Sequence, residues 1–109
     1  MRNNEDKLIG LIGLAKKAGK LRTGAFSVEQ SIKAGKTRLC IVASDASSAV
    51  KKKYSDMCRY RDIPMAICGL DMETLGHAAG SGLRSAASVE DAGFAGRIMD
   101  QIEGGNANG

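Results

Sequence analysis

The chain has no tryptophan, and only two tyrosines and two phenylalanines among its 109 residues. Its core must therefore be filled by aliphatic side chains, alanine and methionine. Long hydrophobic runs are missing too: the longest apolar segments of the chain are far too short to span a bilayer. Residues 1–6 contain no apolar run, so we expect neither a membrane contact nor a secretory signal peptide.

Cysteine is equally sparse. Cys40, Cys58 and Cys68 are three in number and include no Cys-X-X-Cys pair. This pattern argues against a disulfide framework and against a zinc site. Cys40 and Cys68 stand inside apolar runs, so we predict buried thiols and a reducing, cytoplasmic location.

Patterns that would carry catalysis are also lacking. His77 is the single histidine, and no acid or nucleophile stands at a spacing that would pair with it. Gly35-Lys36-Thr37 resembles the end of a phosphate-binding loop, but Gln30 occupies the position of the required upstream glycine. A helix cap with a solvated Lys36 is favoured instead. We predict no enzymatic activity, no metal and no cofactor.

What the sequence does contain is a regular alternation of helical and strand-like segments. Apolar spacing and glycine or proline stops predict helices at residues 4–17, 24–34, 49–61, 72–79 and 92–102. Short runs between them predict strands at residues 21–23, 39–43, 65–68 and 85–89. The alternation predicts an α/β fold with a central sheet between helices.

Two details of this organisation matter later. In the second helix, Ala25, Val28 and Ile32 are predicted to face inward. Residues 1–103 are assigned to one domain. Residues 104–109 have nothing apolar to bury and are predicted to form a disordered tail.

The net charge of +4 favours a polyanionic partner, although solubility alone accounts for such an excess equally well. The basic residues recur at predicted loops and helix ends, which favours RNA or DNA contact. They are Lys16, Lys17, Lys20, Arg22, Lys33, Lys36, Arg38, residues 51–53 and Arg84. The helix start after Gly24 adds free backbone N–H groups, which attract phosphate.

Several segments form a recognisable series along the chain: Gly24-Ala25, Val28, Ile32, Gly35, residues 39–43, Ser44-Asp45-Ala46, residues 62–64, 75–80 and 91–95. Together they resemble the kink-turn RNA-binding ribosomal protein family, in particular its bacterial YlxQ-like branch. Their order and spacing are matched over about residues 7–102. The resemblance implies a three-layer α-β-α sandwich around a four-stranded mixed sheet.

The resemblance also implies an RNA site at the start of the second helix and in two adjacent loops. Its residues in this chain are Gly24, Ala25, Phe26, Ser27, Gln30, Lys33, Lys36, Ser44, Asp45, Ala46, Leu83 and Arg84. Well-known binders carry Asn, Glu and Lys where this chain has Phe26, Ser27 and Gln30. Gln30 still offers a donor and an acceptor to a base edge, and Phe26 offers a ring that either stacks on a base or packs on the protein.

We therefore predict a small, monomeric, cytoplasmic RNA-binding protein, associated with the ribosome and recognising kink-turn-like bent RNA. Two alternatives remain open at this point. One is a protein-interaction module of the same fold that has lost specific RNA readout. The other is an α/β enzyme that binds a nucleotide in a crevice at the strand ends.

Overall fold

The computed structural model describes residues 3–108, and its side chains from Glu5 to Gly104. The elements are α1 Asn3–Lys17, β1 Leu21–Thr23, α2 Ala25–Lys33, β2 Leu39–Val42, α3 Ser48–Tyr60, β3 Met65–Ile67, α4 Met72–Ala78, β4 Ala86–Val89 and α5 Ala92–Asn108. The predicted helices and strands are confirmed, and apart from the end of α5 their boundaries agree to within one residue.

The four strands form one sheet in the order β1-β4-β2-β3. β2 runs parallel to β3, whereas β4 pairs antiparallel with both β1 and β2. The sheet is therefore mixed, as the resemblance implied. β2 lies inside it and is buried along its whole length, which explains why its sequence is continuously apolar.

Helices cover both faces of the sheet and make two cores. α1, α4 and α5 pack on one face, where Ile12, Leu75 and Ile98 are fully buried. α2 and α3 pack on the other face, where Val28 and Tyr54 lie in the second core. This arrangement confirms the three-layer α-β-α sandwich.

Two predictions about helix ends were wrong. Ala25 is exposed rather than inward, because it is the first residue of α2 and lies beyond the end of β1 at Thr23. α5 continues to Asn108 instead of ending at Ile102, because helical hydrogen bonds do not require apolar residues to continue. The predicted tail at residues 104–109 is thus helical as far as Asn108, and Gly109 lies outside the described residues.

The thiols are buried, as predicted for Cys40 and Cys68, and Cys58 is buried as well. A hydrogen bond with Cys58, together with burial, raises the pKa of Cys40. Burial likewise raises the pKa of Cys68. Cys40 and Cys68 are therefore held as neutral thiols, which are poor nucleophiles.

The strand register decides which loops meet. Thr23 pairs with Ala87, and Val42 pairs with Ala86. The ends of β1 and β2 therefore lie beside the start of β4. We call this end of the strands the Gly24 edge. At the opposite side, the Arg38 N–H donates to the Val89 carbonyl at 2.7 Å. We call that side, where β2 begins and β4 ends, the Arg38 edge.

Candidate nucleic-acid interface

The start of α2 presents unpaired backbone donors. Its N-cap residue, Gly24, has φ 89° and ψ 141°, a conformation that favours glycine, and no side chain caps the helix. The first intrahelical bond is from the Val28 N–H to the Gly24 carbonyl, at 2.9 Å. The N–H groups of the preceding turn therefore point out of the helix, and no acidic residue stands in that turn. Such an end attracts anions and other acceptors.

Three predicted site residues surround this helix start. Phe26 is 77% exposed, and Ser27 and Gln30 are exposed as well. All three line a groove of about 330 Å³ that follows α2. The groove is completed by residues from β1, from α2 itself and from the Arg38 edge: Arg22, Ser31, Ala34, Lys36 and Glu90.

The loop after β2 uses its predicted site residues in different ways. Ser44 is exposed, and its carbonyl accepts from Lys51 Nζ at 2.8 Å. Asp45 instead holds the fold, because its Oδ1 accepts from the Met72 N–H at the start of α4 at 2.8 Å. Ala46 is only 6% exposed and packs in the core. The Ser44 N–H and hydroxyl both donate to the Leu70 carbonyl, at 2.9 and 3.3 Å, so the polar groups of this loop mainly hold the fold.

Asp71 caps α4. Its Oδ1 accepts from the Thr74 N–H at 2.8 Å, and this bond lowers the pKa of the Asp71 carboxyl. Ser47 likewise caps α3 by accepting from the Val50 N–H at 3.1 Å. These caps fix the helices that flank the Gly24 edge.

The loop before β4 rests on α4 at a position where only glycine fits. A Cβ on Gly76 would lie 1.7 Å from the Gly82 carbonyl oxygen. The Ser81 N–H donates to the Gly76 carbonyl at 2.8 Å and the Arg84 N–H donates to the Met72 carbonyl at 3.1 Å, so the loop backbone is held on both sides of Gly82. Leu83 projects outward and is 66% exposed.

Two predicted site residues lie away from this cluster. Lys33 ends α2, and Lys36 precedes β2, so both belong to the Arg38 edge. The nine residues of α2, at about 1.5 Å each, separate them from Gly24 by roughly 13 Å. The structure therefore brings the helix start and the two loops together and sets these two lysines apart.

The lysine run at 51–53 is engaged with the protein itself. Besides the bond from Lys51 to Ser44, Lys52 pairs with Asp56 at 2.7 Å. Lys53 pairs with Glu29 and so joins α3 to α2. All three lysines of this run are therefore bound to acceptors of the protein itself, so the run contributes little unpaired positive charge to the surface.

Sequence reasoning missed a buried hydroxyl cluster formed by Ser31, Thr37 and Ser88. Their oxygens lie 2.7–2.8 Å apart, and Ser31 also donates to Glu90 Oε2 at 2.7 Å. Arg22 Nε lies 3.4 Å from Glu90 Oε1 on the wall of the groove. The available signal was Ser88, a polar residue inside the otherwise apolar strand β4.

The segment Gly35-Lys36-Thr37 follows the end of α2. Thr37 is 3% exposed and Lys36 is exposed, which agrees with a helix cap rather than a phosphate loop.

Comparison with known proteins assigns the fold to a family. The model of the Ribosomal protein L7Ae/L30e/S12e/Gadd45 family matches residues 6–98. The chain belongs to this family. It is 36% identical over 101 residues to the RNA-binding protein YlxQ of Enterococcus faecium, covering 93% of this chain and 96% of that one. It is 31% identical over 93 residues to the protein of the same name from Bacillus subtilis (strain 168), covering 85% and 92%.

Solved structures agree with this assignment. A protein of unknown function from Bacillus halodurans has a TM-score of 0.83 and 36% identity, covering 89% of this chain and 97% of that one. The 15.5 kD RNA-binding protein of Giardia lamblia has a TM-score of 0.73 over 95% and 91% of the two chains. Its identity of 19% supports a shared fold alone.

The described residues were also compared with what a metal site and a membrane-spanning helix require. Among the described residues, no group of three or more histidine, cysteine or acidic side chains is placed to hold a metal ion. None of the helices within residues 3–108 combines the length and apolar character needed to cross a bilayer.

Proposed function

We propose that this protein is a small, non-enzymatic RNA-binding protein of the cytoplasm that recognises kink-turn-like bent RNA at its Gly24 edge and acts in association with the ribosome. The observation that carries the proposal is the uncapped, acid-free start of α2, flanked by two loops at one edge of the sheet. The two relatives named as RNA-binding proteins support it.

The chemistry of this edge fits a bent RNA better than a straight duplex. A sharp bend brings phosphates close together, where the N–H groups of α2 and the Arg84 guanidinium can bind them. A bend also exposes base edges and unstacked bases. The Gln30 amide can read a base edge, and the exposed side chains of Phe26 and Leu83 can cover a base face.

The direct test is a titration of the protein with a minimal kink-turn RNA and with a straight duplex of equal length. We expect tighter binding to the kink-turn, with affinity falling as salt rises because phosphate contacts release counterions. Equal affinity for the two RNAs would reduce the interface to a general basic surface and contradict the proposal.

A gain of affinity is expected from Gln30→Lys. Gln30 lies exposed one turn into α2, where a lysine would add charge-assisted hydrogen bonds to the bound RNA. We expect kink-turn binding to tighten about fivefold or more, equivalent to ~1 kcal/mol. Fluorescence anisotropy at fixed salt measures the change.

The matched control for this variant is Leu14→Lys. Leu14 is 54% exposed on α1, which covers the other face of the sheet. The Leu14→Lys variant adds the same charge on a helix surface away from the Gly24 edge. It should therefore change kink-turn affinity less than about twofold. Equal gains in both variants would show that net charge, rather than the position of residue 30, is responsible.

A further inference from the structure

The Arg38 edge holds cations that the protein does not neutralise. Among the described residues, none of the exposed side chains of Lys33, Lys36, Arg38 and Arg61 has a carboxylate within 4.0 Å. Arg59, in the same region, is paired with Asp56 at 2.9 Å. Unpaired positive charge is therefore concentrated at the side of the sheet opposite the start of α2.

Two of these four cations line a second groove. It has a volume of about 410 Å³ and lies between the start of β2 and the turn after α3. Arg38 and Arg61 line it, together with Gly35, Thr37, Asp62, Ile63 and Pro64. Asp62 is its one carboxylate, in a turn where this residue has φ 56°.

An aromatic ring stands next to the same groove. Tyr60 is 82% exposed, the most exposed large hydrophobic side chain of the described residues. The Arg61 guanidinium carbon lies 5.2 Å from the centre of the Tyr60 ring. Because Arg61 also lines the groove, the ring and the groove form one surface. Tyr60 belongs to neither core, so its ring is available to a partner at the surface.

We infer that the Arg38 edge is a second RNA-contact surface, and that it takes single-stranded RNA. Tyr60 stacks on one base, while Arg38, Arg61 and Lys36 bind the phosphates on either side of it. A ring flanked by cations is the arrangement by which proteins hold unpaired nucleotides, since every base presents a face for stacking. A duplex keeps its bases stacked on each other and leaves no face for Tyr60.

This surface is separate from the kink-turn interface but connected to it. The groove along α2 has Phe26 at its Gly24 end and Lys36 at its Arg38 end. An RNA strand that leaves the start of α2 can therefore follow this groove to Lys36, whose chain neighbours Gly35 and Thr37 line the second groove. The inference goes beyond the proposed function, because it concerns other residues and another RNA conformation.

The test uses the full chain and an unstructured, labelled RNA of roughly ten nucleotides, within the site size of single-strand binders. Anisotropy is measured for wild type, Tyr60→Leu, Tyr60→Phe and Arg61→Gln. Tyr60→Leu should weaken binding between about fivefold and about 150-fold, the range for one base stack, whereas Tyr60→Phe keeps the ring and should bind like wild type. Arg61→Gln should lower the slope of log affinity against log salt by about 0.7, the value of one phosphate contact.

Two controls separate base stacking and local phosphate contacts from a general effect of charge and from an effect on the Gly24 edge. Arg97→Gln removes an exposed cation of α5 on the other face of the sheet and should leave single-strand binding unchanged. Each variant is also titrated with the minimal kink-turn RNA, to which the Tyr60 variants should bind like wild type. Thermal melting confirms that the variants fold, as expected for changes at exposed positions.

The outcomes are distinct. No single-strand binding by wild type, or equal binding by wild type and Tyr60→Leu, overturns the inference. Equal losses in Arg61→Gln and Arg97→Gln also overturn it, because only general charge would then matter. Failure of kink-turn binding, with single-strand binding that still depends on Tyr60, refutes the proposed function and leaves this inference standing.

Discussion

Replacing Gly76 with alanine is expected to destabilise the protein by at least ~2 kcal/mol. The added Cβ would lie 1.7 Å from the Gly82 carbonyl oxygen and 2.6 Å from its carbon. Both atoms belong to the backbone, so no side chain can rotate away to make room. Either α4 or the loop at 81–84 must move, and that loop carries Leu83 and Arg84.

Urea unfolding measures the loss of stability, and a kink-turn titration of the same variant measures the displacement of the loop. The control is Gly96→Ala on α5, which is exposed and has no atom within 4 Å of an added Cβ. In that helix interior, alanine should stabilise by about 0.5–1 kcal/mol. An unfolding midpoint of Gly76→Ala equal to that of wild type would contradict the close contact between α4 and the loop.

Removing the Ser31 hydroxyl should have the next largest effect, a loss of about 1–3 kcal/mol. Its oxygen joins Thr37, Ser88 and Glu90, each within 2.8 Å. In Ser31→Ala, Thr37 and Ser88 keep each other at 2.7 Å, but the buried hydroxyl bond to the Glu90 carboxylate is lost. Leaving a buried polar group without its partner destabilises the fold by more than the hydrogen bond had stabilised it.

Ser27→Ala provides the matched comparison, because Ser27 is on the same helix but exposed. Its stability should change by less than about 0.5 kcal/mol. Chemical denaturation of both variants gives the two values. If Ser31→Ala unfolds at the same denaturant concentration as Ser27→Ala, the hydroxyl cluster contributes nothing to stability.

The fold was predictable because its signals are local. Glycine after α2, Pro64 before β3 and the continuous apolar run of β2 each act on their own segment of chain. The start of α2 was predictable for the same reason, since Gly24 and the exposed residues that follow it form one stretch of sequence. The site residues themselves stay predictions until RNA binding is measured.

Features that depend on packing between distant segments were not predictable. Ser31 and Ser88 are brought together by the register of β4 against β2 and the packing of α2 over the sheet. Asp45 was predicted as an RNA-contact residue of a loop, yet its carboxylate accepts from the Met72 N–H at the start of α4, 27 positions away in the sequence. Lys36 stood near Gly24 in the sequence, but the length of α2 carries it to the opposite edge.

The scarcity of aromatic residues gives the protein two native optical probes. With no tryptophan in the chain, its near-ultraviolet emission is dominated by Tyr54 and Tyr60. Tyr54 is 2% exposed between α2 and α3, whereas Tyr60 is 82% exposed. One ring therefore reports on the intact core and the other on the surface around it. Because the two emissions overlap, Tyr60→Phe separates them: a change in emission that persists in this variant comes from Tyr54 in the core, and one that is lost comes from Tyr60 at the Arg38 edge.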